Sequence, residues 1–193
     1  MKLKLFIAFF IIWFLFIRET PVTYGEGVMA PTTPIQSTSD IPSPFQHQGY
    51  TITPLANFSI EARVLSKEVY SHGIGAELSP VDFALGWGRM SDEKILDQIE
   101  ISQSGRWYRW RTESFPIPRR EIETHSANMH MIPANEEIKE ALLDVRVGEI
   151  VTIEGYLVQV SGKNSFRWRS SLTRKDTGAH ACELVFVKSL IKN

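Results

Sequence analysis

The sequence predicts a mainly β fold with a few short helices, curled into a small, partly open β-barrel. Three observations lead there. Phe58, Ile60, Ala62 and Val64 alternate with Ser59, Glu61 and Arg63, the period-two pattern of a half-buried strand. Residues 149–160 (EIVTIEGYLVQV) are nearly apolar on both faces, with Gly155 as a bulge or bend, which reads as a central strand curling around a core. Ser104-Gly105 separates two short strand-like runs, residues 98–103 and 106–111, as the turn of a hairpin.

The remaining elements follow from local signals. Ser79-Pro80 is a good N-cap and first-turn pair for a helix running to about Leu85. Ser91 with residues 94–97 reads as a further turn or two of helix. Asn135 caps residues 136–143, whose acidic first turn suits the helix macrodipole. A turn at residues 161–164 leads into a strand over 165–171, and residues 181–188 form the last strand. Strands with a bent central member and helices set between hairpins resemble an OB fold in shape, which carries no function with it.

The amino end predicts location. Lys2 and Lys4 precede an unbroken apolar run at residues 5–17, which ends at Arg18 and Glu19. That order is what the export machinery reads, so residues 1–19 are expected to be a signal anchor or a signal peptide. Thirteen helical residues cover about 20 Å against a hydrocarbon core of about 30 Å. Snorkelling by the flanking lysines and arginine keeps an uncleaved anchor through residues 3–17 within reach. Thr23 and Gly25 offer the small residues for cleavage before Glu26 instead. The charge bias leaves the amino end in the cytoplasm. The expected location is the inner membrane, single-pass with the C-terminal domain in the periplasm, or the periplasm itself after cleavage.

Composition then changes. Six of the ten prolines fall within residues 20–54, among Thr, Ser, Gln and Gly, so residues 20–48 are expected to be an extended linker. Residues 49–193 form one domain, long enough to build a core. The net charge of −1 excludes the global basic field of nucleic-acid binders, so any anion site must be local. A single cysteine, Cys182, excludes an internal disulfide and reads as a buried small apolar residue.

Two segments interleave arginine with aromatics. On the first, Trp107, Arg109 and Arg111 share one face; on the second, Phe166 and Trp168 share one face and Arg167 and Arg169 the other. Guanidinium groups grip phosphate or carboxylate and aromatic faces stack, so Arg109, Arg111, Arg169, Trp107 and Trp168 are the candidate ligand-binding residues. The competing reading has the rings plugging the barrel and the arginines paired with Glu100, Glu113 and Asp176.

The loop over residues 125–130 is the second candidate. His125, His130, His180 and Cys182 have the residue types for zinc but none of its usual close spacings, so neither a metal nor a cofactor is expected. For hydrolysis, His125 or His130 is the candidate base, Ser126 or Ser171 the nucleophile and Asp176 the orienting carboxylate. Otherwise these side chains satisfy loop backbone. Gly86-Trp87-Gly88 either presents a tryptophan for binding or anchors a tight turn in the core.

The segments DFALGWGRMSD (residues 82–92), SANMHMIPA (126–134) and WRSSLTRKDTG (168–178) resemble an uncharacterised family of bacterial exported or single-pass membrane proteins. The resemblance covers most of residues 49–187 and implies an exported domain without implying an activity. The expectation is a membrane-tethered extracytoplasmic domain that binds an anionic ligand or an envelope protein partner. Its rival is an envelope hydrolase, metal-dependent or not, built on the His125-His130 loop.

Overall fold

One strand of twenty residues organises the chain. In the computed structural model, which describes residues 20–173 and 182–193, this strand, β3 (Tyr50–Val69), is long enough to serve two partners. Along residues 51–63 it pairs antiparallel with β8 (Ile150–Ser161), and along residues 63–69 with β4 (Val81–Gly86). From β4 the sheet continues antiparallel to β7 (Ser126–Pro133), then parallel to β10 (Glu183–Lys192), which returns antiparallel to β8. The ring β3-β4-β7-β10-β8-β3 thus meets itself, with helix α4 (Glu136–Asp144) between β7 and β8. This is a five-stranded Greek-key barrel of the OB type, in agreement with the expected shape.

Alternation along the strands sorts the interior. Phe58, Ile60, Ala62 and Val64 of β3 meet Phe83, Leu85, Met129, Met131, Val151, Ile153, Val185 and Val187 in the main core. A second apolar layer, Ile52, Ile132, Val158, Val160, Leu184 and Phe186, lies on the other face under Tyr50 and Trp168. A third, around Met90, Ile99, Ile117 and Ile122, sits beneath a separate hairpin of β5 (Glu100–Ser104) and β6 (Trp107–Arg111). Each fully buried aliphatic side chain contributes about 1.5–3 kcal/mol.

Several elements differ from expectation. Residues 81–86 are a strand, not a helix: all six residues of β4 are buried, and both edges pair, with β3 and β7. Burial on two faces erases the alternation that marks a strand. The helix lies earlier, as α1 (Ile74–Leu78), with Ser79 as its C-cap and Pro80 blocking continuation. The turn between β5 and β6 is Gly105-Arg106, one residue later than expected, with φ of +58° and +72°, as a two-residue turn with both central residues left-handed requires. Gly155 is not itself the bulge. The irregularity lies opposite, between Val187 and Ser189 of β10, and a Cβ on Gly155 would run into the Phe186 carbonyl oxygen. Asn135 does cap α4, its Oδ1 accepting from the Ile138 N–H at 2.9 Å. After a 3-10 turn at Gly88–Ser91, α2 (Glu93–Leu96) is capped by Asp92, and α3 (Arg119–Thr124) precedes β7.

The proline-rich stretch, expected to be an extended linker, runs along the domain and pairs with it. Short strands β1 (Ile35–Ser37) and β2 (Phe45–His47) pair with β3 along the edge that β4 leaves open. Upstream, Val22 N–H donates to the Val147 carbonyl at 2.8 Å, and Ala30 is fully buried. The Ser91 hydroxyl accepts from the N–H groups of Met29 and Ala30, both at 3.0 Å. The apolar run at residues 5–17 lies outside the described residues. Among those described, no helix is long and apolar enough to cross a membrane.

Candidate functional site

Register across three neighbouring strands assembles a polar cluster. Asp82 of β4 stands opposite His130 of β7, and β10 begins beside β7 with Glu183 level with Met129, which sets Cys182 beside Asn128. Since Phe83, Met129 and Met131 point into the core, the alternate residues Asp82, Asn128 and His130 point away from it.

Asp82 is fully buried and its two oxygens are divided between Arg106 and His130. Its Oδ2 lies 2.9 Å from His130 Nδ1, and its Oδ1 lies 2.6 Å from Arg106 Nη1. Arg106 comes from the tip of the β5–β6 hairpin. Its guanidinium also donates to the Ser79 carbonyl at 2.9 Å and lies 3.7 Å from the centre of the Tyr70 ring. The backbone of Arg106 is held as well: its N–H donates to the Tyr70 hydroxyl at 3.0 Å, and the Asn128 side-chain amide donates to its carbonyl at 3.2 Å. Burying a carboxylate is tolerable only with such pairing.

Electrostatics at His130 follow. Burial opposes the charged ring, but Asp82 and the neighbouring Cys182 thiol outweigh it and hold the pKa above its ordinary value. Asn128 orders the thiol side, with Nδ2 donating to Cys182 Sγ at 3.9 Å and Oδ1 accepting from Gln103 Nε2 at 2.6 Å.

Part of this cluster lines a cleft of about 550 Å³. Arg106, His130 and Cys182 line it together with Trp107 and with Arg167, Trp168 and Arg169 of β9 (Arg167–Arg169), which pairs with the end of β8. The Trp168 ring packs 4.8 Å from the His130 ring, centre to centre. Arg167 and Arg169 both donate to one neutral acceptor, Gln159 Oε1, at 2.7 Å and 3.0 Å for their nearest atoms. Among the described residues neither has a carboxylate within ion-pair distance.

The candidate ligand-binding residues divide. Trp107, Trp168 and Arg169 meet at the cleft. Arg109 donates to Ser104 Oγ at 3.0 Å, and Arg111 is paired with Glu100 at 2.7 Å; neither lines the cleft. The histidine loop also divides. His125 ends α3, with its ring against Gly88 and Trp87 and Nδ1 beside the Glu121 carbonyl, while His130 lies on β7 against Asp82. Trp87 is buried and anchors the turn in the core. Ser126 and Ser171 donate to the backbone carbonyls of Ile122 and Thr173. Asp176 and His180 lie outside the described residues. No group of three or more His, Cys, Asp or Glu side chains among the described residues is arranged to hold a metal ion.

Sequence reasoning missed Asp82 and Arg106. The available signal for Asp82 was an acidic residue opening the otherwise apolar run VDFALG, where burial makes a partner obligatory. Arg106 gave none, since a turn arginine is ordinarily solvated. Comparison of the chain with protein-family models, curated proteins and solved structures gives no match.

Proposed function

We propose that this cleft binds an anionic ligand bearing a flat or ring-shaped group, and that the domain does so outside the cytoplasm, delivered there by its N-terminal apolar segment. The observation that carries the reading is the pairing of Arg167 and Arg169 on one uncharged oxygen of Gln159. Each guanidinium has five N–H donors, so most of their hydrogen-bonding capacity remains for a phosphate, sulfate or carboxylate. In a chain of net charge −1, that local concentration of positive charge is what can distinguish an anion. Trp107, 45% exposed, and Trp168 supply faces on which a sugar or base can stack.

Fold-level analogy agrees. OB barrels use the face of their second and third strands and the loops joining strands one to two and four to five for oligonucleotides and oligosaccharides. Here those strands are β4 and β7, and the loops contribute Tyr70 and Trp168.

The test is quenching of tryptophan fluorescence by heparin oligosaccharides, short oligothymidylate and phosphatidylglycerol vesicles, each titrated at rising salt. At least one should bind with a steep salt dependence, and the Arg167→Gln, Arg169→Gln double variant should weaken it about tenfold or more. Arg111→Gln, which alters an exposed pair away from the cleft, should change nothing. Salt-independent quenching, or none, rejects the reading. For location, an alkaline phosphatase fused after Asn193 should be active in cells.

A further inference from the structure

We propose that Cys182, His130 and Asp82 form a thiol–imidazole–carboxylate triad that hydrolyses an ester or thioester with an anionic acyl portion, a reading that takes the anion-binding cleft as its substrate site. Three strands bring the groups to one face: Asp82 opposite His130, and Cys182 level with Asn128, two residues before His130. The Asp82 carboxylate lies 2.9 Å from Nδ1 of the ring, which leaves Nε2 for the thiol. Cys182 is partly exposed and lines the cleft, unlike a packing cysteine. Its two hydroxyl competitors, Ser126 and Ser171, spend their protons on backbone carbonyls.

The chemistry balances with water as the co-reactant. Cys182 Sγ attacks the acyl carbon while its proton passes to His130. The C–O or C–S bond to the leaving group then breaks, and His130 returns the proton to the departing alcohol or thiol. Water attacks the resulting thioester, giving a proton to His130, and the acid leaves as Cys182 is reprotonated. Asn128 Nδ2 has two hydrogens, one directed to the Arg106 carbonyl and one toward the sulfur, where it can donate to the oxygen that becomes negative. Arg167 and Arg169 at the cleft select the acyl charge. Asp82 acts through His130 and is a positioning residue, itself held by Arg106.

The test uses the full chain with two esters, p-nitrophenyl acetate and the mono-p-nitrophenyl ester of succinic acid, which keeps a free carboxylate. Both should release a burst of p-nitrophenolate stoichiometric with protein and leave an acyl group on Cys182 by mass spectrometry. Cys182→Ser should lose burst and adduct with its circular dichroism intact, and His130→Gln should slow acylation about a hundredfold. Asp82→Asn should move the acid limb of the acylation profile to lower pH, a shift that structural loosening alone does not produce. The groups facing the His130 ring are Asp82 on β4, Cys182 ahead of β10 and Arg106 from the hairpin, with Arg167 and Arg169 in the cleft wall. The succinyl ester should react about tenfold faster, and the Arg167→Gln, Arg169→Gln variant should lose that preference. Acylation no faster than that of glutathione and unchanged in His130→Gln overturns the triad, even if salt-dependent anion binding persists. A normal burst with equal rates for the two esters keeps the triad and overturns the anionic substrate.

Discussion

Arg106 reaches from the tip of a hairpin to within 2.6 Å of Asp82, a carboxylate with no exposed surface. The contact joins an inserted hairpin to the barrel wall through charge. Removing one member of such a pair strands the other in a medium that solvates it poorly.

Arg106→Ala should therefore destabilise the domain by about 3 kcal/mol, read as a lower urea midpoint with an unchanged slope. It also removes the guanidinium from the Tyr70 ring, 3.7 Å away. A loss below about 1 kcal/mol would show that His130 alone suffices for Asp82.

Stability should depend on pH with a defined sign. His130 binds its proton more tightly folded than unfolded, because Asp82 and Cys182 outweigh the cost of burial. Its contribution is complete below about pH 6.5 and is lost as pH rises through the folded-state value. Thermal melts should fall across that window, and His130→Gln should flatten the fall. Tyr108 gives a second descending limb: burial pushes it up to about 12, against the pull of the Ser126 hydroxyl. Since an unfolded tyrosine ionises near 10, stability falls between those values, and Tyr108→Phe should reduce that slope.

Two glycines separate packing from backbone strain. Gly155→Ala should cost about 3 kcal/mol or more, because its Cβ would meet the Phe186 backbone across a paired strand, where nothing flexible can yield. Gly105→Ala has open space around it, but its φ of +58° is costly for a side chain, so about 1 kcal/mol is expected. Chemical denaturation of both variants checks the order; equal losses would contradict it.

The Ser91 hydroxyl holds the buried end of the docked arm, whose other backbone groups bond to Glu93, Asp92 and Val147. Ser91→Ala leaves the N–H groups of Met29 and Ala30 without their acceptor in a buried setting. A loss of about 2 kcal/mol should accompany faster amide exchange through residues 22–30, with little change in the barrel strands. Uniform exchange acceleration would instead mean that the arm and barrel open together.

Legibility in the sequence tracked how local each signal was. The Asn135 cap and the apolar strand around Gly155 were readable because neighbours within a few positions determine them. The strand at residues 81–86 was not, because its identity depends on β3 and β7 burying both its faces. The site behaved likewise. His130, Cys182 and Trp168 were visible as residue types, but Asp82 acquires its meaning only from a register that sets it against His130. Arg109 and Arg111 look equivalent to Arg167 and Arg169 in sequence. Only the surrounding strands decide that Arg111 meets Glu100 while Arg167 meets an uncharged amide.

The parallel pairing of β7 with β10 gives the cleft a history. Asn128 meets Cys182 across 54 positions of chain, with α4 and the whole of β8 intervening. Contacts of that span form late, since the loop they close must be ordered before they return any energy. During synthesis the thiol is among the last parts of the domain to emerge, so a nascent chain holds Asp82 and His130 before it holds Cys182. Completing the barrel and completing the cleft are then one kinetic event, and a chain interrupted before its final strand carries neither.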